Sequence, residues 1–445
     1  MKQLFIAFTG IFLLVFSLAS KAQETWSLQK CVQYALDNNI QIKQQELNTQ
    51  YQQNLVSQAK DDKLPTLNSS MSNSLNFGRS LTYTNTYQNV NSSQYNGYVS
   101  ANINLWNGFI LQNTVKQRQF DLQASLQDMQ KAKDDLVLNI AASYLNILFA
   151  EELVNVSKSQ IDVTQQQIKR TQQLVDAGSL AKGSLLEIEA QLASEQLQMV
   201  NNQNQVDLSY LNLYQFLELP ISESFKVEKP VLPEIKADVT MTNSLDVYKN
   251  ALAFRPEIKS AQMRVESAKR QLSIAKGSYL PSLSFGANYY NLYNDKYTDF
   301  DQNKIPFKRQ LKNNARAGLG FSLNIPIFNN FRVKYNVDNA ELQVMNYEYQ
   351  LQTSKNVLRK DIEQAYQNAL AALKRYVSSQ KAVTSMEEAF RYTEEKFNVG
   401  MVNSVEYNQG KNNLTKAESD LVQAKYEYIF RTKILDFYNG VQIEL

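Results

Sequence analysis

The sequence predicts an α+β membrane fold, a β-barrel continued by long coiled-coil helices, and it predicts that fold twice over. Three observations carry this: the chain repeats itself, its apolar period switches within each copy from seven to two and back, and its first residues have the make-up of an export signal.

The repetition is explicit. Ala35-Leu36 recurs as Ala251-Leu252, Ile42-Lys43 as Ile258-Lys259, Ala59-Lys60 as Ala275-Lys276 and Leu64-Pro65 as Leu280-Pro281, each 216 residues later. Asn102-Ile103-Asn104-Leu105-Trp106-Asn107-Gly108-Phe109 is echoed by Asn324-Ile325-Pro326-Ile327-Phe328-Asn329-Asn330-Phe331, and Gly178 by Gly400, at a spacing of 222. The second copy therefore carries six extra residues between Pro281 and Asn324. A period this long marks a duplicated domain rather than a solenoid.

Residues 1–22 read as a secretory signal peptide: Lys2, an apolar run from Leu4 to Leu18, then Ser20-Lys21-Ala22 before the cleavage point at Gln23. The run is shorter than the ~20 apolar residues that span a bilayer. No later stretch reads as long enough for a membrane helix. Cys31 is the only cysteine, so no disulfide forms within the chain, and Leu28-Gln29-Lys30 before it lacks the small residues of a lipoprotein signal.

Net charge is +3, histidine is absent, and there are only 13 Gly and 8 Pro in 445 residues. These breakers fall well below their usual ~7% and ~5%, which argues for long helices. The near-neutral balance carries no footprint for nucleic acid. Without histidine, and with Cys31 on a helical heptad, there is no Ser-His or Cys-His pair, no zinc set and no glycine-rich phosphate loop. The sequence thus points away from an enzyme and asks for no cofactor; with its Met residues unclustered, it also gives no sign of metal carriage.

Each copy, residues 23–217 and 244–440, opens on a heptad segment: Ala35, Ile42 and Val56 in the first, Ala251, Ile258, Val265 and Leu272 in the second. Pro65 and Pro281 end these helices, because proline lacks the helical donor and pushes its predecessor toward extended backbone. Strands follow at about 65–77 and 95–106, and again at about 281–291 and 315–328. In the first, Leu67, Met71, Leu75 and Phe77 alternate with Thr66, Asn68, Ser70, Ser72, Ser74 and Asn76. The last sets Ala317, Leu319, Phe321, Leu323, Ile325 and Ile327 against Arg316, Gly318, Gly320, Ser322 and Asn324. Long strands with apolar side chains outward and small polar ones inward suit a transmembrane barrel with a wet lumen. A soluble sandwich alternates too; the signal peptide and the lack of a membrane helix favour the barrel. Trp106 and Phe328 at one end, with Tyr95, Tyr289 and Tyr290 toward the other, suit interfacial girdles. Four strands leave open edges, which lipid does not tolerate, so several chains must share one barrel. Polar loops from Gly78 to Gln94 and from Leu292 to Asn314 then face outside.

Long helices follow at about 107–175 and 329–397. In the first, Leu126, Ile140, Ile147, Val154, Ile161, Ile168 and Val175 form a heptad row broken at Lys133, and Leu122, Met129, Leu136, Ser143 and Ala150 form the second row of a coiled-coil seam. Ile362, Ala369, Tyr376, Val383, Phe390 and Phe397, beside Val344, Leu351, Leu358, Ala365 and Ala372, match it in the second copy. Each helix is roughly 68 residues and about 100 Å long. Gly178 and Gly400 read as left-handed C-caps. Partner helices at about 181–217 and 403–439 return through Leu185, Leu192, Met199, Val206 and Leu213, and through Tyr407, Leu414, Leu421, Tyr428 and Leu435. Residues 218–243, with Pro220, Pro230 and Pro233, form a connector holding a short strand at Phe225-Lys226-Val227-Glu228. A structural coiled-coil rod would explain the helices but not the strands.

In order along the chain stand Trp26-Ser27-Leu28, Leu64-Pro65, Ala177-Gly178-Ser179-Leu180, Leu280-Pro281, Ile325-Pro326-Ile327-Phe328, Val399-Gly400-Met401-Val402 and Tyr438-Asn439-Gly440. This duplicated series resembles the TolC-like outer-membrane efflux protein family over essentially the whole mature chain. The resemblance implies a homotrimer in the bacterial outer membrane, four strands per protomer closing one twelve-stranded barrel above a periplasmic helical tunnel. It implies a passive exit duct, coupled through a periplasmic adaptor to an inner-membrane pump, with residues 218–243 in an equatorial belt. It places adaptor docking at Ala177, Gly178, Ser179, Val399, Gly400 and Met401. The family narrows its aperture with acidic residues six and nine positions beyond the second-copy glycine, here Glu406 and Gln409. Gln409 departs from that pattern and puts a double carboxylate ring in doubt; the first-copy equivalents are Ser184 and Glu187. Pro65, Pro281, Trp106 and Phe328 mark the helix-to-barrel transition. Two alternatives stay open: the outer-membrane component of a type I (ABC) protein secretion system, with the same fold, and a coiled-coil envelope protein that transports nothing.

Overall fold

The computed structural model describes residues 25–81, 85–220, 225–231, 235 and 241–443; the expected signal peptide lies outside them, and the connector at 218–243 is described only in part. The first half runs β1 Thr25–Trp26, α1 Leu28–Asn38, α2 Ile40–Asp61, β2 Thr66–Asn76, β3 Arg79–Leu81, β4 Tyr87–Asn89, β5 Ser92–Asn107, α3 Ile110–Asp176, α4 Lys182–Leu217 and β6 Lys226–Val227. The second runs α5 Ser244–Phe254, α6 Pro256–Gly277, β7 Ser282–Asn294, α7 Phe307–Asn314, β8 Arg316–Asn324, α8 Arg332–Asn398 and α9 Ser404–Tyr438.

One compact unit, Asn48–Leu126 with Lys259–Gln352, holds a four-stranded antiparallel sheet in the order β2-β5-β7-β8, so that β2 and β8 are its edges. The register sorts the faces. Leu67, Ala101, Ala287 and Leu319 stand in one cross-strand row, while Asn68, Ser100, Asn288 and Gly318 stand in the next, facing the other way. On the polar face the Tyr290 hydroxyl donates to Asn96 Oδ1 at 3.0 Å and Tyr98 to Ser100 at 2.7 Å. Asn102 and Asn288 lie over Gly286 and Gly318, where an added Cβ would come within 3.0 Å and 2.7 Å of their side-chain oxygens. A bulge between Asn104 and Trp106 leaves Leu105 unpaired. Strict alternation would put Trp106 on the polar face; the extra residue brings it opposite Leu283, on the apolar one.

The last strand ends at Asn324 rather than near 328. Pro326 has no N–H for the ladder, so Ile325 to Phe328 leave the sheet. The two hairpin loops carry structure of their own, a β3/β4 ribbon and the helix α7.

The other unit takes the residues up to Leu47, Gln127–Ile258 and Thr353–Leu445. Its apolar core joins Trp26, Cys31, Ala35 and Ile42 to Ile140, Tyr144, Ile147 and Leu148 of α3, Leu213 and Leu217 of α4, and Ile429 of α9. The Tyr144 hydroxyl donates to the carbonyls of Trp26 (3.1 Å) and Glu228 (2.7 Å), fastening the parallel β1/β6 pair. Contrary to the sequence reading, α3 does contain an 18-residue window of mean hydropathy 1.4. Its Ile140 and Ile147 are fully buried against other helices, so this apolar length serves the core of the helical unit. The heptad row frays at its start, where Leu126 is 39% exposed. Cys31 is buried, and that burial pushes its thiol up to about 12, an unreactive setting.

The opening heptad segments are each two helices, not one. The breaks fall at Asn39 (φ −61°, ψ 130°) and Arg255 (φ −60°, ψ 128°), positions 216 residues apart. Asn39 Oδ1 accepts from the Gln41 amide at 2.9 Å and its Nδ2 donates to the Phe216 carbonyl at 3.0 Å. Arg255 is held extended by the proline that follows it. Its buried guanidinium sits 3.5 Å from Asp134, 3.1 Å from Glu257 and 4.5 Å over the Phe437 ring.

Candidate functional site: helix tips and strand-to-helix joints

Both long helices end in the same six-residue hydrogen-bonding pattern. After α3, Gly178 (φ +73°) donates to the Val175 carbonyl at 2.9 Å and Ser179 to Leu174 at 2.8 Å. After α8, Gly400 (φ +76°) donates to Phe397 at 3.1 Å and Met401 to Lys396 at 2.9 Å. These are Schellman caps, and the left-handed residue they need is the glycine that the sequence supplies. Ala177, Gly178 and Ser179 are exposed, and Val399 and Met401 are 71% and 74% exposed. A Cβ at either glycine would meet nothing within 4 Å.

Of the four aperture candidates, the structure brings two together. Glu406, in the first turn of α9, and Gln409 line one groove of about 530 Å³ with Met386, Phe390 and Val405. Asn403 caps the helix through the Glu406 amide at 2.9 Å, leaving the carboxylate exposed, while Gln409 donates to Asn413 at 3.0 Å. Glu187 instead accepts a hydrogen bond from the buried Ser404 hydroxyl, which ties α4 to the start of α9. Ser184 is half-buried in the first turn of α4. Beneath the groove Ile188, Phe397 and Tyr407 form a small apolar plug. Burial raises the Tyr407 phenol, and its hydroxyl finds no hydrogen-bond partner among the described residues.

Sequence reasoning missed the most heavily engaged group in this region. Lys411 is 2% exposed; its ammonium donates to the Gln160 carbonyl at 2.9 Å, to Glu195 at 2.9 Å and to the Thr164 hydroxyl, joining α9 to α3 and α4. Burial lowers its pKa and the Glu195 bond opposes that shift. A signal for this layer existed: the second heptad row of α3 continues past Ala150 through Ser157, Thr164 and Thr171, all buried. A charged residue opposite so polar a row is placed to fill it.

At the other candidate region, Pro65 and Pro281 each follow a helix-ending turn and precede a strand by one residue. Leaving the strands, Gly108-Phe109 (φ +65° and +63°) and Asn330-Phe331 (φ +55° and +58°) are paired left-handed residues at equivalent positions. Phe in this region is strained by about 1 kcal/mol or more. Trp106 meets Phe109 edge-on at 4.3 Å and Phe328 meets Phe331 at 5.5 Å, so the predicted transition aromatics belong to these two turns. A Cβ on Gly108 would lie 2.3 Å from the Gly277 carbonyl, and one on Gly277 2.5 Å from that of Gly108, so two backbones touch there.

A sheet with one face suited to lipid, in a chain whose long helices end in matched turns, defines a class: barrel channels with a coiled-coil extension. The family is specific. The sequence profile of the outer membrane efflux proteins matches residues 31–217 and 247–436, and the chain belongs to that family. It is similar to outer membrane protein TolC of Escherichia coli K12, 24% identical over 442 residues covering 96% of this chain and 84% of TolC. Toxin and drug export protein A of Aggregatibacter actinomycetemcomitans is 23% identical over 325 residues, 71% of this chain and 66% of that protein. Among solved structures, CusC superposes with a TM-score of 0.79 at 17% identity, covering 96% of both chains, a likeness of fold.

Proposed function

We propose that three copies of this chain close one twelve-stranded barrel in the outer membrane and act as the passive exit duct of a tripartite export system. One observation carries the reading: an antiparallel sheet with two open edges, β2 and β8, whose odd-numbered face exposes Leu67 (74%), Met71 (90%), Leu319 (78%) and Phe321 (71%) while the other face is polar. Such a face needs lipid, and such edges need partners. The strands also remove the reading of a coiled-coil rod. Energy for export comes from an inner-membrane pump, reached through a periplasmic adaptor that grips the exposed Gly178 and Gly400 turns. Glu406, repeated three times about the axis, narrows the tip and attracts cations. The relative named for both toxin and drug export carries the second reading, a type I secretion duct for proteins, which uses the same barrel and tip.

Cysteines at Ser70 and Gly320, on opposite edge strands, test the assembly in a Cys31→Ser background. The expected product is a disulfide-linked trimer on denaturing gels; a single-chain mass with an intact β-signal overturns it. Gly400→Asp adds a charge at an open position and strains the turn by about 1 kcal/mol. It is expected to abolish export and adaptor co-purification while the trimer persists.

A further inference from the structure

We propose that the outward surface of α7 binds the phosphate groups of lipid A in the outer leaflet, an inference that rests on the outer-membrane barrel reading. The helix is fixed, not a loose loop. Its inner side covers the edge of β7 beyond the last β8 pair, at the sheet end farthest from Ser282, and reaches side chains of the odd-numbered face: Phe307 meets Tyr293 edge-on at 5.0 Å, and Asn291 donates to the Leu311 carbonyl at 2.8 Å. Gln310, 1% exposed, donates to the Asn294 and Ile305 carbonyls at 2.9 Å and accepts from the Asn294 amide at 3.0 Å. Asn314 closes the far end on the Leu292 carbonyl at 2.7 Å.

The other side is cationic. Lys308, Arg309 and Lys312 are exposed on α7, and exposed Lys304 and Arg316 flank it. Asp295, Asp299 and Asp301 lie in the turn before the helix, Asp295 beside Lys296, and from there on no acidic residue occurs until Asp338. The first hairpin is the internal control: between Lys63 and Lys116, Arg79 is the only charged residue. Positive charge is therefore concentrated at one of two equivalent hairpin ends, on the side of the sheet that bears the lipid-suited face. Phe307, 54% exposed, has its ring against Tyr293 of the odd-numbered face, at the level where interfacial aromatics belong. Guanidinium and ammonium groups at that level meet phosphates, which arginine can bind bidentately. Lipid A is the phosphorylated component of an outer leaflet, and the continuity of the basic helix with the apolar band selects it over a soluble anion.

The test is native mass spectrometry of the purified protein in uncharged detergent, titrated with bis-phosphorylated lipid A and with dephosphorylated lipid A of the same chains. The wild type and Arg79→Gln should retain the phosphorylated form preferentially. The variant K308Q/R309Q/K312Q should retain it about 100-fold less. Raising salt should weaken wild-type retention. Equal retention by the triple variant, as an acidic polysaccharide or protein partner would leave it, overturns the proposal, and so does equal retention of dephosphorylated lipid or indifference to salt. Heat-modifiable migration of the same sample, with edge-strand cross-linking of the cysteine variant purified in parallel, separates the two failures. A sample that fails those checks sinks the barrel reading, whereas one that passes them without phosphate preference sinks this inference alone.

Discussion

Two stretches of α3 use one heptad register for opposite purposes. Around Ile140 and Ile147 the seam is apolar and closes on Cys31, Ala35, Leu213 and Leu217. Roughly three to seven turns further on, the same helix buries Ser157, Thr164, Gln167 and Thr171, and the facing charge is Lys411 with Glu195. An apolar seam gains free energy from every turn it covers. A polar seam gains little and depends on each hydrogen bond being made, so it sets register at a cost in stability. The difference teaches that the Lys411 layer is held by a few specific bonds and the middle by bulk burial, and that local opening belongs at that layer.

The largest effect should come from breaking the apolar stretch. Ile147→Asp buries an unpaired charge and should cost several kcal/mol per protomer in denaturant unfolding. Gln166→Asp, at an exposed position, should stay within about 0.5 kcal/mol. Equal tolerance at both sites would show that the register is misassigned.

Next is the polar layer. Lys411→Met alone leaves Glu195, 12% exposed, without its cation and should cost about 3 kcal/mol. The double variant Lys411→Met with Glu195→Leu should recover most of that loss, because two apolar groups replace the pair. A double variant no better than the single would mean that the layer is more than a matched pair.

Tyr407 sharpens the comparison at smaller amplitude, since it is a polar atom in an apolar plug. Tyr407→Phe removes an unpartnered buried hydroxyl and should raise stability by about 1 kcal/mol. Burial raises the phenols of Tyr144, Tyr210 and Tyr407 above the ordinary 10.0. Below pH 10 these groups are neutral in folded and unfolded chain alike. Above it the unfolded chain ionises first, so stability is lost as pH rises past 10. Circular dichroism should therefore show alkaline loss of helix, with the midpoint moved upward in Tyr407→Phe.

The smallest structural effect is expected at Glu406. Its side chain is exposed, so Glu406→Ala should leave stability within about 0.5 kcal/mol yet weaken divalent-cation block and raise leak conductance in bilayers. Unchanged conductance would remove Glu406 from the aperture.

Much of the fold is legible because periodicity is a local property. Seven-residue rows, alternating strands, Pro65 and Pro281 as stops, and Gly178 and Gly400 as caps each follow from a few neighbouring side chains and the backbone they permit. So does the family, whose motifs lie in duplicated order. What tertiary structure alone decided involves partners distant in sequence. Lys411 reads as a surface charge until Gln160, Thr164 and Glu195 surround it. Glu187 carries no sequence sign of the Ser404 hydroxyl that donates to it from α9. The Leu105 bulge exists only relative to β7, and Phe109 and Phe331 carry no sequence mark of the left-handed backbone imposed on them. Sequence by itself determines which faces of each element are apolar, because that depends on residue order. Which polar groups are drawn inside, and against what, depends on the surfaces that packing brings together, and only the folded chain can decide it.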